Sequence, residues 1–242
     1  MARKKIMFVI VEGPSDEEAL GVILNRFYDQ NAVHVHIMRK DITSEKGVKP
    51  SNIFSKIGDE IRQYARENHF EKKHFQEIIH LVDMDGAYIP DENIVEDEEA
   101  VKPVYSETEI RTCNKAGIEE RNLQKRENID KLCSCRDIWT VPYRVFYMSC
   151  NLDHVLYNKQ NSSDEEKEND SYQFVKQYRD KIPEFVTFIA ESDFAVRGSY
   201  KESWNYIKQG IHSLERHTNL GLCFKAEKEN EQNSGNETLE RE

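Results

Sequence analysis

The sequence has little of what would fix a secreted or membrane protein. Its five cysteines, at 113, 133, 135, 150 and 223, are an odd number. Cys133-Ser134-Cys135 is a C-x-C with no second pair beside it, so a zinc site has little support and reduced thiols are the simpler account. No apolar run approaches the 18 residues of a membrane span. MARKK at the start is not followed by a signal-type apolar segment with a cleavage site, so a cytoplasmic protein with no membrane partner is expected. No G-x-x-x-x-G-K-[ST] occurs, so a P-loop ATPase is not expected on this chain. No internal repeat is visible. Positive charge is also short: 34 Lys and Arg stand against 45 Asp and Glu, a net of −11. That excludes a general nucleic-acid coat protein but not an enzyme that meets phosphates through metal ions and a local basic patch. Much of the excess is local, in 91–99, in 164–170 and in the tail from Glu227, which read as solvated loops, a linker over 162–170 and a disordered end over 226–242.

What is present begins with Lys4 to Leu24. Ile6 to Val11 is an apolar run rich in β-branched residues, the signature of a strand buried on both faces. It stops at Glu12-Gly13-Pro14. Ser15 with Glu18 has the spacing of a capping box, and Ala19, Leu20, Ile23, Leu24 and Phe27 make a helical stripe. Asp16 in the first turn suits the helix dipole and needs no function for that reason. Glu12 precedes the cap and is less easily explained that way. Val33 to Met38 alternates apolar residues with His34 and His36, a half-exposed strand for which no third metal ligand is evident. The loop 39–50 carries Arg39, Lys40, Lys46 and Lys49, read either as contacts to a phosphate backbone or as ordinary surface charges. Ser51 opens a helix with Ile53, Phe54, Ile57, Ile61 and Tyr64 on one face.

Glu77 to Val82 is the next strand, and it runs into Asp83-Met84-Asp85-Gly86. Residues i and i+2 of a strand share a face, so Asp83 and Asp85 are expected to converge. Two carboxylates that close raise each other's pKa unless a cation neutralises them, which makes a metal the natural partner. Ala87 to Lys115 is expected to be an irregular insertion. A helix over Ala116–Leu132 and a fourth strand over Trp139–Met148 follow. Asp153 falls in the first turn of a helix Leu152–Tyr157, at the edge where Glu12 and Asp83 should lie; it reads as a further ligand or as an acid serving the helix dipole. Helices over Ser171–Asp180, Pro183–Ser192 and Tyr200–Glu215 make a C-terminal extension, 171–225, with Arg197 between helices as a phosphate contact.

The ordered pair of motifs, strand–Glu12-Gly13-x-x-Asp16 and strand–Asp83-x-Asp85-Gly86, resembles the Toprim domain of topoisomerases, primases, small ribonucleases and overcoming-lysogenisation-defect (OLD) nucleases; VEGPSDEEAL resembles the OLD-type variant. The resemblance covers roughly residues 4–160, which implies a Toprim-like catalytic domain over 1–160. It implies an α/β fold, a Toprim/Rossmann-like and mostly parallel four-stranded sheet with flanking helices. It also implies Mg²⁺ or Mn²⁺ held by Glu12, Asp16, Asp83 and Asp85, with Asp153 as a candidate fifth ligand, and a nuclease of DNA or RNA in which Glu12, Asp83 and Asp85 are catalytic. As partners it implies nucleic acid and a separate ATPase subunit or a homo-oligomer, as in phage-defence systems that split the two parts. Two other readings stay open. Asp83-x-Asp85-Gly86 also resembles the motif of haloacid-dehalogenase-type phosphatases, although that family carries it on its first strand and follows it with Thr or Val rather than Ala87. The third is a catalytically idle Toprim-like subunit that acts through its helical end.

Overall fold

The structure, a computed structural model, describes residues 4–28 and 31–224; the expected tail 226–242 lies outside them. Strand β1 (Lys5–Val11) is buried from its second residue onward. Met7, Val9 and Val11 enter one hydrophobic cluster while Ile6, Phe8 and Ile10 enter another, the alternation of a strand covered on both faces. Helix α1 (Pro14–Phe27) leads to β2 (Val33–Arg39), parallel to β1. Helix α2 (Ile53–Glu67) then leads to β3 (Phe75–Asp83), which pairs in parallel with β1 on its other side. Ala19, Leu20, Ile23 and Leu24 of α1 lie in the first cluster, and Ile53, Ile57 and Ile61 of α2 in the second. The two crossovers therefore cover opposite faces, and the direction of winding reverses between β1 and β3. In open α/β sheets ligands bind at such a reversal, outside the carboxyl ends of the strands.

The segment expected to be irregular holds a small sheet of its own. Strands β4 (Ile94–Glu96), β5 (Val104–Tyr105) and β6 (Ile110–Thr112) pair in the order β4-β6-β5, over a cluster of Ile89, Ile94, Ile110, Ile118 and Leu214. Strands of two or three residues are too short for a periodicity to show. Helix α3 (Lys115–Cys133) returns the chain to β7 (Asp137–Ile138) and β8 (Val141–Met148). Trp139 and Thr140 between them both have positive φ, a two-residue hairpin turn. The main sheet is thus α/β and mostly parallel, in the order β2-β1-β3-β8-β7. Its fifth strand, β7, adds an antiparallel edge to the expected four.

Helix α4 (Leu152–Tyr157) forms as expected. The next helix, α5 (Asp164–Tyr178), starts seven residues before Ser171, so most of the acidic stretch read as a linker is its first two turns. Ser163 caps it: its Oγ accepts from Glu166 N, and Glu166 Oε2 accepts from Ser163 N at 2.8 Å. Acids there lie at the positive end of the helix dipole. α6 (Ile182–Glu191) packs with α5 on the α1 side of the sheet, whereas Trp204 and Ile207 of α7 (Tyr200–Ile207) pack on the α2 side. α7 ends eight residues short of Glu215, and turns with Gly210 at positive φ replace the rest. Among the described residues no helix is long and apolar enough to cross a membrane.

One glycine holds the acidic turn in place. Gly86 has φ +66°, and a Cβ there would stand 2.7 Å from Leu214 Cδ2 and 3.0 Å from Ile110 Cδ1. We expect Gly86→Ala to lower the unfolding free energy by about 1–3 kcal/mol, measured by chemical denaturation. An unchanged midpoint would show that the turn tolerates an L side chain.

Candidate metal centre

The end of β1 places Glu12 beside the last residue of β3. Glu12 Oε1 accepts from Asp83 N at 3.1 Å and from Thr43 Oγ1 at 3.4 Å, so carboxylates seventy-one residues apart share one edge of the sheet. Asp83 Oδ1 accepts in turn from Leu152 N at 3.0 Å, at the start of α4. Helix α1 begins at Pro14 rather than after Ser15. Gly13 is its extended N-cap, and Asp16 Oδ2 accepts from Gly13 N at 2.8 Å. The expected Ser15/Glu18 capping box is therefore displaced, and Asp16 is the capping acid. Asp153 meets Lys167 Nζ of α5 at 3.1 Å through Oδ2, while its buried Oδ1 has no hydrogen-bond partner. Glu12, Asp16, Asp83 and Asp153 line one cleft of about 450 Å³.

Asp85 reaches the group by another route. β3 ends at Asp83, and Asp85 has φ +47°, so strand alternation does not set its direction. The left-handed turn aims its Oδ2 at the ammonium of Lys125, which also lies 3.3 Å from both carboxylate oxygens of Glu12. Asp85 does not line the cleft. Lys125, wholly buried on α3, was not among the expected site residues. Its position did carry a signal. Ile118, Asn122, Lys125, Ile129 and Leu132 repeat at helical spacing, and all five are buried, so Lys125 sits where the stripe calls for an apolar residue. Asp41, Thr43 and Lys167 were likewise missed.

The expected phosphate contacts do not gather at the cleft, since none of them lines it. Arg39 pairs with Glu17 at 3.1 Å, and Lys40 is held between Glu45 and Glu60. Lys46 and Lys49 are exposed on their loop. Arg197 Nη2 donates to Glu191 O beside the end of α6. Glu17 lies on α1 and Glu60 on α2, outside the local sequence of the loop, and Glu45 lies on the loop itself. His36 stacks on Tyr64 at 3.7 Å, and all five cysteines are free thiols.

The electrostatics follow from burial and crowding. Burial pushes Glu12 well above the usual carboxylate range; Lys125 opposes this, and Asp41, Asp85 and Asp16 reinforce it. Asp83 is raised well above its ordinary value by burial and then by Asp16, Glu12 and Asp85. Asp16 is pushed up to about 6 by burial, with Asp153 adding to the effect and the Gly13 bond resisting it. Burial also raises Asp153, against Lys167. Burial alone would discharge Lys125, but Asp85, Glu12, Asp41 and Asp83 outweigh it and hold the ammonium charged. Even with two lysines, the crowded acids keep an excess of negative charge.

The chain matches no known family model, no curated protein and no solved structure. The site is therefore judged on its own donors. Among the described residues, no three His, Cys, Asp or Glu side chains already stand as a complete ligand set. One oxygen of Asp16 accepts from Gly13 N, one of Asp83 from Leu152 N, and one of Asp153 meets Lys167 Nζ. The chemistry nonetheless fits a hard cation. All the donors are carboxylate oxygens, as Mg²⁺ and Mn²⁺ prefer, and the unpartnered Asp153 Oδ1 is a buried acceptor in want of a positive charge.

Three outcomes follow. Without divalent ions, Asp83→Asn should unfold at a higher temperature than the parent, because it removes a crowded charge while its Oδ1 can still accept from Leu152 N. The sign with pH is fixed by the raised values. A carboxylate whose folded pKa is raised binds its proton more tightly when folded, so the ion-free parent loses stability as pH rises from about 4 through 6, by on the order of 3 kcal/mol for Asp16 alone. Thermal melts in chelator at several pH values check both, and an Asp83→Asn protein less stable than the parent at pH 7 would contradict them. Lys125→Met should cost about 3–5 kcal/mol at pH 7.5, because it strands Glu12 and Asp85, and less at pH 5, where protons replace the ammonium. An equal loss at both pH values would mean that Lys125 acts by packing alone.

Proposed function

We propose that this protein is a Mg²⁺- or Mn²⁺-dependent nuclease that hydrolyses phosphodiester bonds of DNA or RNA, with the Toprim-like arrangement of an OLD-type enzyme. One observation carries the reading. The cleft at the β1/β3 reversal is lined by seven carboxylates, Glu12, Asp16, Glu18, Asp83, Asp153, Asp164 and Glu168, and by a single ammonium, Lys167. A phosphodiester is repelled from such a surface unless a cation comes between them. Asp83, Asp16, Glu12 and Asp153 are the residues that would hold it. When bound, a divalent ion there supplies Lewis acidity to a phosphate oxygen and lowers the pKa of an attacking water.

The chain's own groups divide the remaining work. Lys125 fixes the Glu12 carboxylate and neutralises Asp85, a charge that would otherwise fall to a second metal ion. Asp16, held by the Gly13 amide, is placed to hold the ion together with Asp83 and Asp153. Lys167 is placed to meet a non-bridging phosphate oxygen at the mouth of the cleft. A role as the effector of a phage-defence system, with its ATPase on another chain, belongs to this proposal and rests on the resemblance alone.

Incubation of plasmid DNA and of tRNA with Mg²⁺ or Mn²⁺ tests the reading. Cleavage is expected with at least one substrate, and Asp83→Ala and Asp85→Asn should each lower it by at least about 100-fold. Asp85→Asn also removes the closest charge to the buried Lys125, so its loss of activity is to be read beside its unfolding midpoint. Phosphate release from small esters without nucleic-acid cleavage would instead assign the phosphatase chemistry, and no turnover on either substrate would assign a non-catalytic subunit.

A further inference from the structure

Among the described residues five large apolar side chains are exposed, and two of them, Val22 at 42% and Tyr172 at 64%, border one groove. The groove, of about 590 Å³, lies between α1 and α5, and Glu18, Glu165, Glu168 and Val175 also line it. Ser171 Oγ of α5 donates to Ser15 O of α1 at 3.4 Å, which joins the two helices. Glu18 and Glu168 line the carboxylate cleft as well, so the groove opens beside it.

The outward face of α5 is divided by charge. Phe174 and Tyr178 turn into the core. Glu165, Glu168, Tyr172, Lys176 and Arg179 instead lie within about 40° of one line along the helix, at 100° per residue. Arg179 is the C-cap but keeps helical φ and ψ, so it continues that line. Two acids thus stand seven and four residues before Tyr172, and two bases stand four and seven residues after it. Glu165, Glu168 and Lys176 have no ion-pair partner among the described residues. Arg179 meets its neighbour Asp180 at 3.3 Å, an exposed contact that holds it weakly.

This face is complementary to itself. A two-fold axis through Tyr172 brings each residue opposite the one equally far on the other side of that tyrosine. Glu168 then meets Lys176, and Glu165 meets Arg179, of a second α5 running the other way. The axis repeats both, which makes four ion pairs around a contact between two tyrosines. A parallel pairing would set acid on acid and base on base. We propose that two copies of this chain associate through their α5 helices, antiparallel about Tyr172, with Val22 and Val175 flanking the tyrosines. Two helices each about 22 Å long make a small interface, so the dimer is reversible, with a dissociation constant on the order of 10 µM. The dimer also reaches the cleft, a step that rests on the nuclease reading. Lys176 of the partner subunit answers Glu168 at the cleft mouth, where Lys167 is the one ammonium. A phosphodiester then meets a base that Arg39, Lys40 and Arg197 do not supply.

Sedimentation velocity of the full-length chain at rising concentration tests the pairing. We expect a monomer–dimer equilibrium. Lys176→Glu/Arg179→Glu makes the face wholly acidic and Glu165→Lys/Glu168→Lys makes it wholly basic; each should weaken self-association by at least about 100-fold. An equimolar mixture of the two should form a one-to-one dimer at least as tight as the parent's. A parent that stays monomeric at every concentration overturns the proposal, as does a reversal variant that still dimerises or a mixture that does not pair. If a reversal variant does not fold, Tyr172→Cys decides: under oxidising conditions it should link two copies through position 172, and a lack of that link is equally fatal. None of these readouts uses a substrate, so the dimer stands or falls apart from the nuclease reading. Where cleavage is observed, Lys176→Glu/Arg179→Glu should raise KM for nucleic acid by at least about 10-fold, and an unchanged KM overturns the step at the cleft.

Discussion

A lysine ammonium buried among carboxylates is costly to desolvate and is kept only when opposite charges surround it. Lys125 is in that position, and what surrounds it comes from separate parts of the chain: Glu12 after β1, Asp85 after β3, and Asp41 in the loop after β2. The interaction ties α3 to the carboxyl edge of the sheet. It also sets an order of dependence. Glu12 can lie against the Asp83 amide because Lys125 answers part of its charge, and Asp85 can occupy a left-handed turn because its carboxylate has a fixed partner. The excess that Lys125 does not cancel is left facing the cleft.

The sheet explains why that edge is the one to carry acids. α1 and α2 lie on opposite faces, so their connections diverge above β1 and β3 and leave a crevice between them. Glu12 and Asp83 are the residues at the two strand ends bordering it. α4 starts at the end of β8, the next strand along, and its first backbone amide meets Asp83 while its second residue, Asp153, reaches the same crevice. Three strand ends thus deliver acids to one place through topology alone.

That delivery was legible because it depends on patterns the sequence displays openly: apolar runs with β-branched residues, each broken by an acid, with helical stripes between them. Lys125 was hidden for the opposite reason. A charged residue is discounted when an apolar stripe is traced, although its spacing from Ile118 and Ile129 put it on the buried face. The start of α5 was missed because an acid-rich run reads as solvated chain until its Ser163 cap is weighed with the helix dipole. Asp85 was expected on the face of the strand that carries Asp83; the strand ends two residues before it, and a left-handed turn aims it at Lys125 instead. The basic residues of the loop after β2 looked available because the acids that engage Arg39 and Lys40 lie on α1 and α2 as well as on the loop itself.

The C-terminal segment is bound into the site rather than appended to it. Met84 N donates to Met148 O and Asp85 N to Cys150 O, which joins the turn after β3 to the turn after β8. Asp85 and Cys150 both have positive φ without being glycine, a conformation that costs about 1 kcal/mol or more at each and persists only where the surroundings impose it. The imposing groups come from 212–218. Ser213 O accepts from Gly86 N and Cys150 N, His217 O accepts from Ser149 N, and Thr218 bridges to Met148. Gly86 is needed there because Leu214 of the same segment closes over it. The direction in which Asp85 points is therefore decided by chain more than a hundred residues downstream, and a change in those turns reaches the acids without touching them.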